Sequence, residues 1–222
     1  MYERQRMLFD DRVDAGRRLA AELAGYRDQA PVVLGLPRGG VPVAYEIAVA
    51  LGAPLDVWIV RKIGAPFQRE LGIGAVAEGG EIVWNDETLP LIGLSEQELA
   101  ELAADEQKEV QRRVHLFRGN RPPPDLRGRT ILLVDDGIAT GGTMRAAIRD
   151  LRKQGPARIV LAVPVAASDT LDKLRPEVDD VVCLEPVPYL AAIGFWYRDF
   201  SQTSDDEVIR LLEGARAIAA AA

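Results

Sequence analysis

The stretch ILLVDDGIATGGTMRAAI, residues 131–148, joins an apolar run to two adjacent carboxylates, a glycine-rich turn and a helical pattern. Two acids at the edge of a hydrophobic core repel each other unless a positive or hydrogen-bonding partner belongs beside them. Gly141 and Gly142 allow a ligand to approach the backbone closely. Free N–H groups and the dipole at the start of a helix favour an anion there. The stretch therefore predicts a strand, an anion-binding turn and a helix.

Apolar runs alternate with helical patterns over most of the chain. Because each run is almost wholly apolar, we expect strands covered on both faces, which is typical of a parallel sheet. The predicted fold class is α/β, with an open, mostly parallel sheet and helices on both faces, in a single domain over residues 1–222. The predicted strands lie in APVVLGLPRGG (30–40), LDVWIVRK (55–62), TILLVDD (130–136), RIVLAVPVA (158–166) and DDVVCLE (179–185).

Segments whose apolar residues have the spacing of a helix lie between these strands. Ser95 and Glu98 form the sequence pattern of a capping box, and Gly52 is placed to end a helix. In open parallel sheets ligands bind beyond the carboxyl ends of the strands, so the segments that follow the strands are candidate sites. The predicted helices cover residues 11–26, 41–52, 95–117, 141–155 and 168–176.

Composition narrows the classes of function. The chain has 222 residues, of which 48% are hydrophobic, and a formal net charge of −7, which argues against a nucleic-acid or membrane-surface protein. The single cysteine, Cys183, excludes an internal disulfide, and the single histidine, His115, argues against histidine-based catalysis. The charged start, MYERQRMLFDDR, lacks a signal core. We therefore expect a cytoplasmic protein.

The turn itself indicates the ligand. A P-loop is excluded because Met144 follows Gly-Gly-Thr where that motif needs lysine. Two acids before an anion-binding turn are suited to hydroxyl groups or to Mg²⁺, so a ribose 5-phosphate group fits. The sequence ILLVDDGIATGGT resembles the phosphoribosyl pyrophosphate (PRPP) signature of the type I phosphoribosyltransferase family. The alternative is an ordinary strand–turn–helix junction.

The resemblance assigns roles to the signature. It implies that Asp135 and Asp136 bind the ribose hydroxyls and take part in Mg²⁺ binding. It implies that the turn binds the 5-phosphate through Ala139, Thr140, Gly141, Gly142 and Thr143.

The segment LPRGG, residues 36–40, resembles the pyrophosphate loop of the same family. Backbone N–H groups and Arg38 would bind an oxyanion there, with Gly39 and Gly40 leaving room for it. Such loops can carry a cis non-proline peptide. Arg61 and Lys62, at the end of the second predicted strand, would also bind pyrophosphate. A solvated Arg38 and surface salt bridges for the other two cations remain as alternatives.

Residues from about 63 to 84 are rich in glycine and charge, which predicts a long loop with short extended pieces. The resemblance makes this segment a flexible lid over the reacting centre, and Glu70 and Glu78 are its candidate catalytic carboxylates. The alternative for both is solvated loop charge. GIGAVA, residues 72–77, is not taken as a dinucleotide site because no helix follows it.

Residues from about 185 to 205 resemble the hood of the hypoxanthine–guanine branch. That likeness implies base contacts from Ile193, Phe195 and Trp196, and a metal-associated Asp199. Core packing is the alternative for the three apolar residues.

The signature departs from the 6-oxopurine enzymes, since Ala139 stands where they have an aspartate, as in the adenine-type branch. VLAVPVAAS (160–168) also lacks their lysine, and Leu190–Ala191 replace their stacking phenylalanine.

The resemblance implies a Mg²⁺-dependent homodimeric transferase that moves the phosphoribosyl group of PRPP to a purine-like base. Its catalytic side chains would be Arg38, Lys62, Glu70 and Glu78. The alternative function is a sensor that binds PRPP or a nucleotide without turnover.

Overall fold

The computed structural model describes residues 8–221 and contains two sheets. The main sheet is parallel throughout, with strand order β2-β1-β6-β7-β8. Its strands are β1 Val32–Gly35, β2 Leu55–Val57, β6 Thr130–Val134, β7 Arg158–Ala167 and β8 Asp180–Val187. The second sheet is antiparallel and consists of β3 Val60–Ala65, β4 Gln68–Ala77 and β5 Ile82–Trp84.

Helices cover both faces of the main sheet, as predicted. Along β6, Leu132 and Val134 belong to one core cluster, whereas Ile131 and Leu133 belong to the other. Because strand side chains alternate between faces, one apolar run supplies both cores. The helices are α1 Arg12–Glu22, α2 Gly40–Leu51, α3 Leu89–Ile92, α4 Glu96–Arg118, α5 Gly142–Lys153, α6 Ser168–Leu174 and α7 Asp205–Ala221.

Two helix boundaries confirm the signals in the sequence. Ser95 accepts a hydrogen bond from the backbone N–H of Glu98, whose side chain accepts one from the N–H of Ser95. Gly52 ends α2 in the left-handed conformation with φ 66°. None of the helices within residues 8–221 is long and apolar enough to cross a bilayer.

The prediction for LDVWIVRK is corrected by the structure. Only residues 55–57 pair with β1; the chain then leaves the main sheet at Trp58 and Ile59, and β3 starts the antiparallel sheet. The expectation of a long loop at about 63–84 is also wrong, since β4 already begins at Gln68, whereas β5 and the end of β4 correspond to the short extended pieces expected there. Glycines at 64, 72 and 74 allow close contact between backbone and neighbouring groups there, which explains a strand in a glycine-rich segment.

Two buried carboxylates hold the antiparallel sheet where it leaves the main sheet. Asp150 of α5 accepts hydrogen bonds from the Trp58 indole N–H at 3.1 Å and the Gly79 N–H at 2.9 Å. Glu78 accepts one from the Ile59 N–H at 2.9 Å and pairs with Arg118 at 2.8 Å. Burial raises the pKa of both carboxyl groups. These contacts fix the start of β3 relative to the turn between β4 and β5.

The hood packs on the beginning of the described chain. The N–H groups of Leu8 and Phe9 donate to the Trp196 carbonyl, and Phe9 pairs with Tyr197 in a short parallel bridge. The rings of Phe9, Tyr197 and Phe200 then pack in a tilted arrangement, at centroid distances of 5.3 and 5.0 Å. This small separate core positions the hood beside the carboxyl ends of the strands.

Candidate active site

The acid pair follows β6 directly at the carboxyl edge of the main sheet. Asp135 Oδ1 accepts a hydrogen bond from the Asp136 N–H at 2.8 Å, and Asp136 Oδ2 accepts one from Arg12 Nε at 2.8 Å. The Tyr197 hydroxyl donates to the Asp136 carbonyl at 2.7 Å. These bonds hold one oxygen of each carboxyl group in place, Asp135 Oδ1 and Asp136 Oδ2.

The electrostatics of the pair are unfavourable without a ligand. Burial raises the pKa of Asp135 well above its usual range, and the charge of Asp136 raises it further. Burial also raises the pKa of Asp136, against the opposing effect of the Arg12 guanidinium. Hydroxyl donors or a cation bound here would stabilise the ionised pair.

The glycine-rich turn after the acids has the form of an anion site. Gly141 adopts φ 75° and precedes α5, and no side chain caps that helix. The first N–H groups of α5 are therefore left for an external acceptor. Thr170 of α6 holds the turn from behind, since its hydroxyl donates to the Ala139 carbonyl at 2.7 Å.

The loop after β1 lies against the acid pair. It contains the cis peptide Pro37–Arg38, which the resemblance had suggested. A Cβ on Gly39 would lie 1.9 Å from Asp136 Oδ2, and one on Gly40 would lie 2.8 Å from the Cα of Asp135. Both glycines are therefore needed for the approach of the loop to the two acids.

Replacing Gly39 by alanine is expected to weaken PRPP binding by about tenfold or more, because the added methyl group displaces the Asp136 carboxylate. Isothermal titration calorimetry measures the change. Gly25→Ala is the control, since nothing lies within 4 Å of a Cβ there. Equal affinities for Gly39→Ala and wild type would contradict the assignment of Asp136 to the ligand.

A cavity of about 550 Å³ opens beside the turn. Its volume lies in the range of small-molecule sites. Of the predicted residues it contains Lys62 and the whole turn from Ala139 to Thr143. The lining also includes residues that no motif in the sequence indicates, notably Trp84, Asn85, Arg145, Thr170, Lys173 and Tyr189.

The predicted cations have different surroundings. Arg38 lies 3.6 Å from Asp205 Oδ1. Arg61 and Lys62 lie within β3 and do not close a strand of the main sheet, which corrects the prediction. Arg61 pairs with Glu106 at 3.1 Å, the salt-bridge alternative, whereas Lys62 reaches the cavity.

The two candidate carboxylates of the predicted lid also have different surroundings. Glu78 is packed in the ion pair with Arg118, its side chain is 7% exposed, and this structural contact replaces the expected free carboxylate. Glu70 lies in β4, and its side chain is outside the described part of the structure.

The predicted base contacts are only partly placed near the signature. Ile193 packs against Gly137, where a Cβ would lie 2.7 Å from Ile193 Cγ2. Phe195 is 56% exposed, and Trp196 packs in the small core of the hood. Within residues 8–221 the cavity lining includes none of these three side chains.

The structure does not bring the predicted metal ligands Asp135, Asp136 and Asp199 into one cluster. Asp199 is exposed, and its Oδ1 accepts a hydrogen bond from the Ser201 N–H at 2.9 Å. Among the described residues no group of three or more histidine, cysteine or carboxylate side chains could hold a metal ion together. Of the predicted metal ligands, Asp135 and Asp136 are adjacent in the chain and both carry carboxylate oxygens.

A parallel sheet whose carboxyl edge carries an acid pair and a glycine turn defines an α/β protein of the predicted class. The sequence model of the phosphoribosyl transferase domain matches residues 5–196. The chain therefore belongs to the phosphoribosyl transferase family.

Individual relatives agree with this membership. A Mycobacterium tuberculosis protein named "Putative phosphoribosyl transferase" is 48% identical over 208 residues, which are 94% of this chain and 47% of that protein. The chain thus spans about half the length of the curated relatives it matches. The crystal structure of TT1426 from Thermus thermophilus is 43% identical, with a TM-score of 0.78 over 92% of this chain and 97% of that one.

A shorter match concerns a uracil phosphoribosyltransferase from Paenarthrobacter aurescens. It is 43% identical over 60 residues, which are 27% of this chain and 28% of that protein. So short a match does not indicate which base accepts the phosphoribosyl group.

Proposed function

We propose that the protein is a Mg²⁺-dependent phosphoribosyltransferase that transfers the 5-phosphoribosyl group of PRPP to a nitrogenous base and releases pyrophosphate. The observation that carries this proposal is the juxtaposition of three segments at one edge of the sheet. The uncapped turn suits a phosphate, the acid pair suits vicinal hydroxyls, and the glycines of the loop after β1 touch those acids.

The fit to Mg²⁺ rests on the acid pair. Asp135 and Asp136 present oxygen donors whose repulsion a divalent cation relieves. With two carboxylates together, such an ion would take its remaining ligands from substrate oxygens and water. Bound there, Mg²⁺ would neutralise charge on the leaving pyrophosphate.

The chain's own residues supply positioning and charge. The Thr140–Thr143 turn holds the 5-phosphate, and the acid pair holds the ribose hydroxyls, so that C1 faces the acceptor nitrogen. Breaking the bond from C1 to pyrophosphate moves negative charge to the leaving group, which Arg38 and Lys62 stabilise. Positioning of the two reactants supplies a large part of the acceleration.

The acceptor is proposed to be purine-like, with contacts from the hood residues Ile193, Phe195 and Trp196. Ala139 offers no side-chain proton acceptor, so a base that needs little deprotonation suits this site. A general base contributes about 10²–10⁴-fold, and Glu70 is the remaining candidate for that role.

The test is pyrophosphate release from PRPP and Mg²⁺ with a panel of purine and pyrimidine bases, followed by a coupled phosphate assay. We expect release that depends on one base or a small group of bases and is lost when EDTA is added. Tight binding of PRPP without release for any base would contradict the transferase.

A sensor that binds PRPP without turnover is the second candidate. The observation that favours it is the ion pair of Glu78 with Arg118, which removes one of the two lid carboxylates from catalysis. The base panel separates the two functions, because a sensor binds PRPP but releases no pyrophosphate with any of the bases.

A further inference from the structure

The Arg12 side chain joins the acid pair to the hood. Arg12 is the first residue of α1, which Asp11 caps through the Asp14 N–H. Its Nε donates to Asp136 Oδ2 at 2.8 Å and its Nη1 donates to the Ser201 carbonyl at 2.8 Å. Its Cζ lies 3.9 Å from the centre of the Phe200 ring. The side chain is 12% exposed, so these contacts largely enclose it.

We propose that Arg12 is a positioning residue for ribose binding. It fixes one oxygen of Asp136 against the hood and thereby presents the other oxygen to a ribose hydroxyl. This inference rests on the proposed function, because it assigns Arg12 to the ribose part of the same site.

This role depends on the planar shape of the Arg12 guanidinium as well as on its charge. A planar guanidinium donates in two fixed directions and stacks on a ring at the same time, whereas an ammonium group is a compact point charge. The two hydrogen bonds of Arg12 go to different segments, the acid pair and residue 201 of the hood. A lysine at position 12 could keep one contact but not the three together.

The surroundings of Asp136 leave it little freedom once Arg12 is in place. The Tyr197 hydroxyl donates to its carbonyl at 2.7 Å, so the hood holds the backbone of Asp136 while Arg12 holds its side chain. A Cβ on Gly39 would lie 1.9 Å from Asp136 Oδ2 and 3.2 Å from Arg12 Nε. The ion pair therefore lies where the loop after β1, the acids after β6 and the hood meet.

Arg12 acts through Asp136 and not on the phosphates. Its Nε and Nη1 are already used within the protein, by Asp136 Oδ2 and by the Ser201 carbonyl. A residue with this role should affect binding of the sugar and leave binding of pyrophosphate alone.

The test compares two probes that each contain one part of PRPP. Isothermal titration calorimetry gives the dissociation constants of ribose 5-phosphate and of magnesium pyrophosphate for wild type, Arg12→Ala and Arg12→Lys. Arg17→Ala is the matched control on the same helix, since Arg17 is exposed and pairs with Glu46 away from the acids. Near-ultraviolet circular dichroism checks that each variant is folded.

We expect Arg12→Ala to weaken ribose 5-phosphate binding by about tenfold or more, as for loss of a charge-assisted contact, and pyrophosphate binding by less than about twofold. Arg12→Lys should recover part of the sugar affinity but remain at least about threefold weaker than wild type, because the hood contacts are missing. If Arg12→Ala does not fold, Arg12→Lys carries the test with the same two probes.

Unchanged or tighter binding of ribose 5-phosphate by Arg12→Ala would overturn the inference, as would full recovery by lysine. An equal loss for both probes would also overturn it, because it would make Arg12 a phosphate ligand. In each of these results the wild type binds both probes, so the proposed function stands. A wild type that binds neither probe would contradict the proposed function and this inference together.

Discussion

Asp135→Asn is expected to weaken PRPP binding by about 10- to 100-fold and to lower kcat/KM by at least as much, because a charge-assisted bond to a ribose hydroxyl is lost. Asp136→Asn should act in the same direction, since the proposed site places both acids on the ribose hydroxyls. Calorimetry with PRPP and Mg²⁺ measures the affinity, and pyrophosphate release measures turnover.

Asp135→Asn should not destabilise the protein at neutral pH. The folded pKa of Asp135 is raised, so the folded state holds that proton more tightly than the unfolded state. The contribution of Asp135 to the free energy of unfolding therefore falls as the pH rises from the pKa of this group in the unfolded state, about 4, through its pKa in the folded state. Asparagine removes this dependence, so Asp135→Asn should gain stability relative to wild type between about pH 4 and pH 8. Urea unfolding at about pH 4 and at about pH 8 measures this gain in stability.

Asp172→Asn is the matched control for both measurements, because Asp172 is exposed on α6 and pairs loosely with Arg175 at 3.6 Å. An Asp135→Asn variant with wild-type PRPP affinity would contradict the role of the pair. A variant that is less stable than wild type at pH 8 would show that the carboxylate has a stabilising partner in the protein.

Arg118→Ala is expected to lower the unfolding free energy by about 3–5 kcal/mol, because it leaves a buried carboxylate without its partner. The Arg118 side chain is 2% exposed and the Glu78 side chain 7%. Arg118 also donates to the Val57 carbonyl at 2.8 Å, so a backbone acceptor loses its bond as well. Because this ion pair holds the antiparallel sheet to β2, we also expect a lower kcat. Denaturant unfolding monitored by tryptophan fluorescence measures the stability.

Arg112→Ala is the control on the same helix, since its pair with Glu109 is exposed and should leave the unfolding free energy close to that of wild type. The double variant Arg118→Met with Glu78→Gln should recover part of the loss, because the more deeply buried carboxylate is made neutral, while Asp56, which also pairs with Arg118 at 3.3 Å, has its side chain 18% exposed to solvent. A single Arg118→Ala variant as stable as Arg112→Ala would contradict the account of this network.

The main sheet and the turn could be predicted because their signals are local. The apolar run of β6, the two acids and the four residues Thr-Gly-Gly-Thr lie within 13 consecutive positions, 131–143. The helix boundary at Ser95 likewise depends on a residue three positions away. Such patterns report the backbone directly.

The antiparallel sheet and its contacts could not be predicted in the same way. LDVWIVRK has the apolar pattern of one strand, and nothing in it marks the departure at Trp58. Glu78 is separated by 40 residues from Arg118, the partner that buries it, and Arg12 by 124 residues from Asp136. Charged side chains are ordinarily solvated, so only tertiary packing identifies these pairs.

A crystal structure of the protein with ribose 5-phosphate and Mg²⁺ pyrophosphate tests the central claim most directly. We predict the 5-phosphate within about 3.2 Å of the backbone nitrogens of the Thr140–Thr143 turn, with the vicinal hydroxyls on Asp135 and Asp136. Clear density for the sugar elsewhere on the protein, with the turn and both carboxyl groups free of it, would contradict the account.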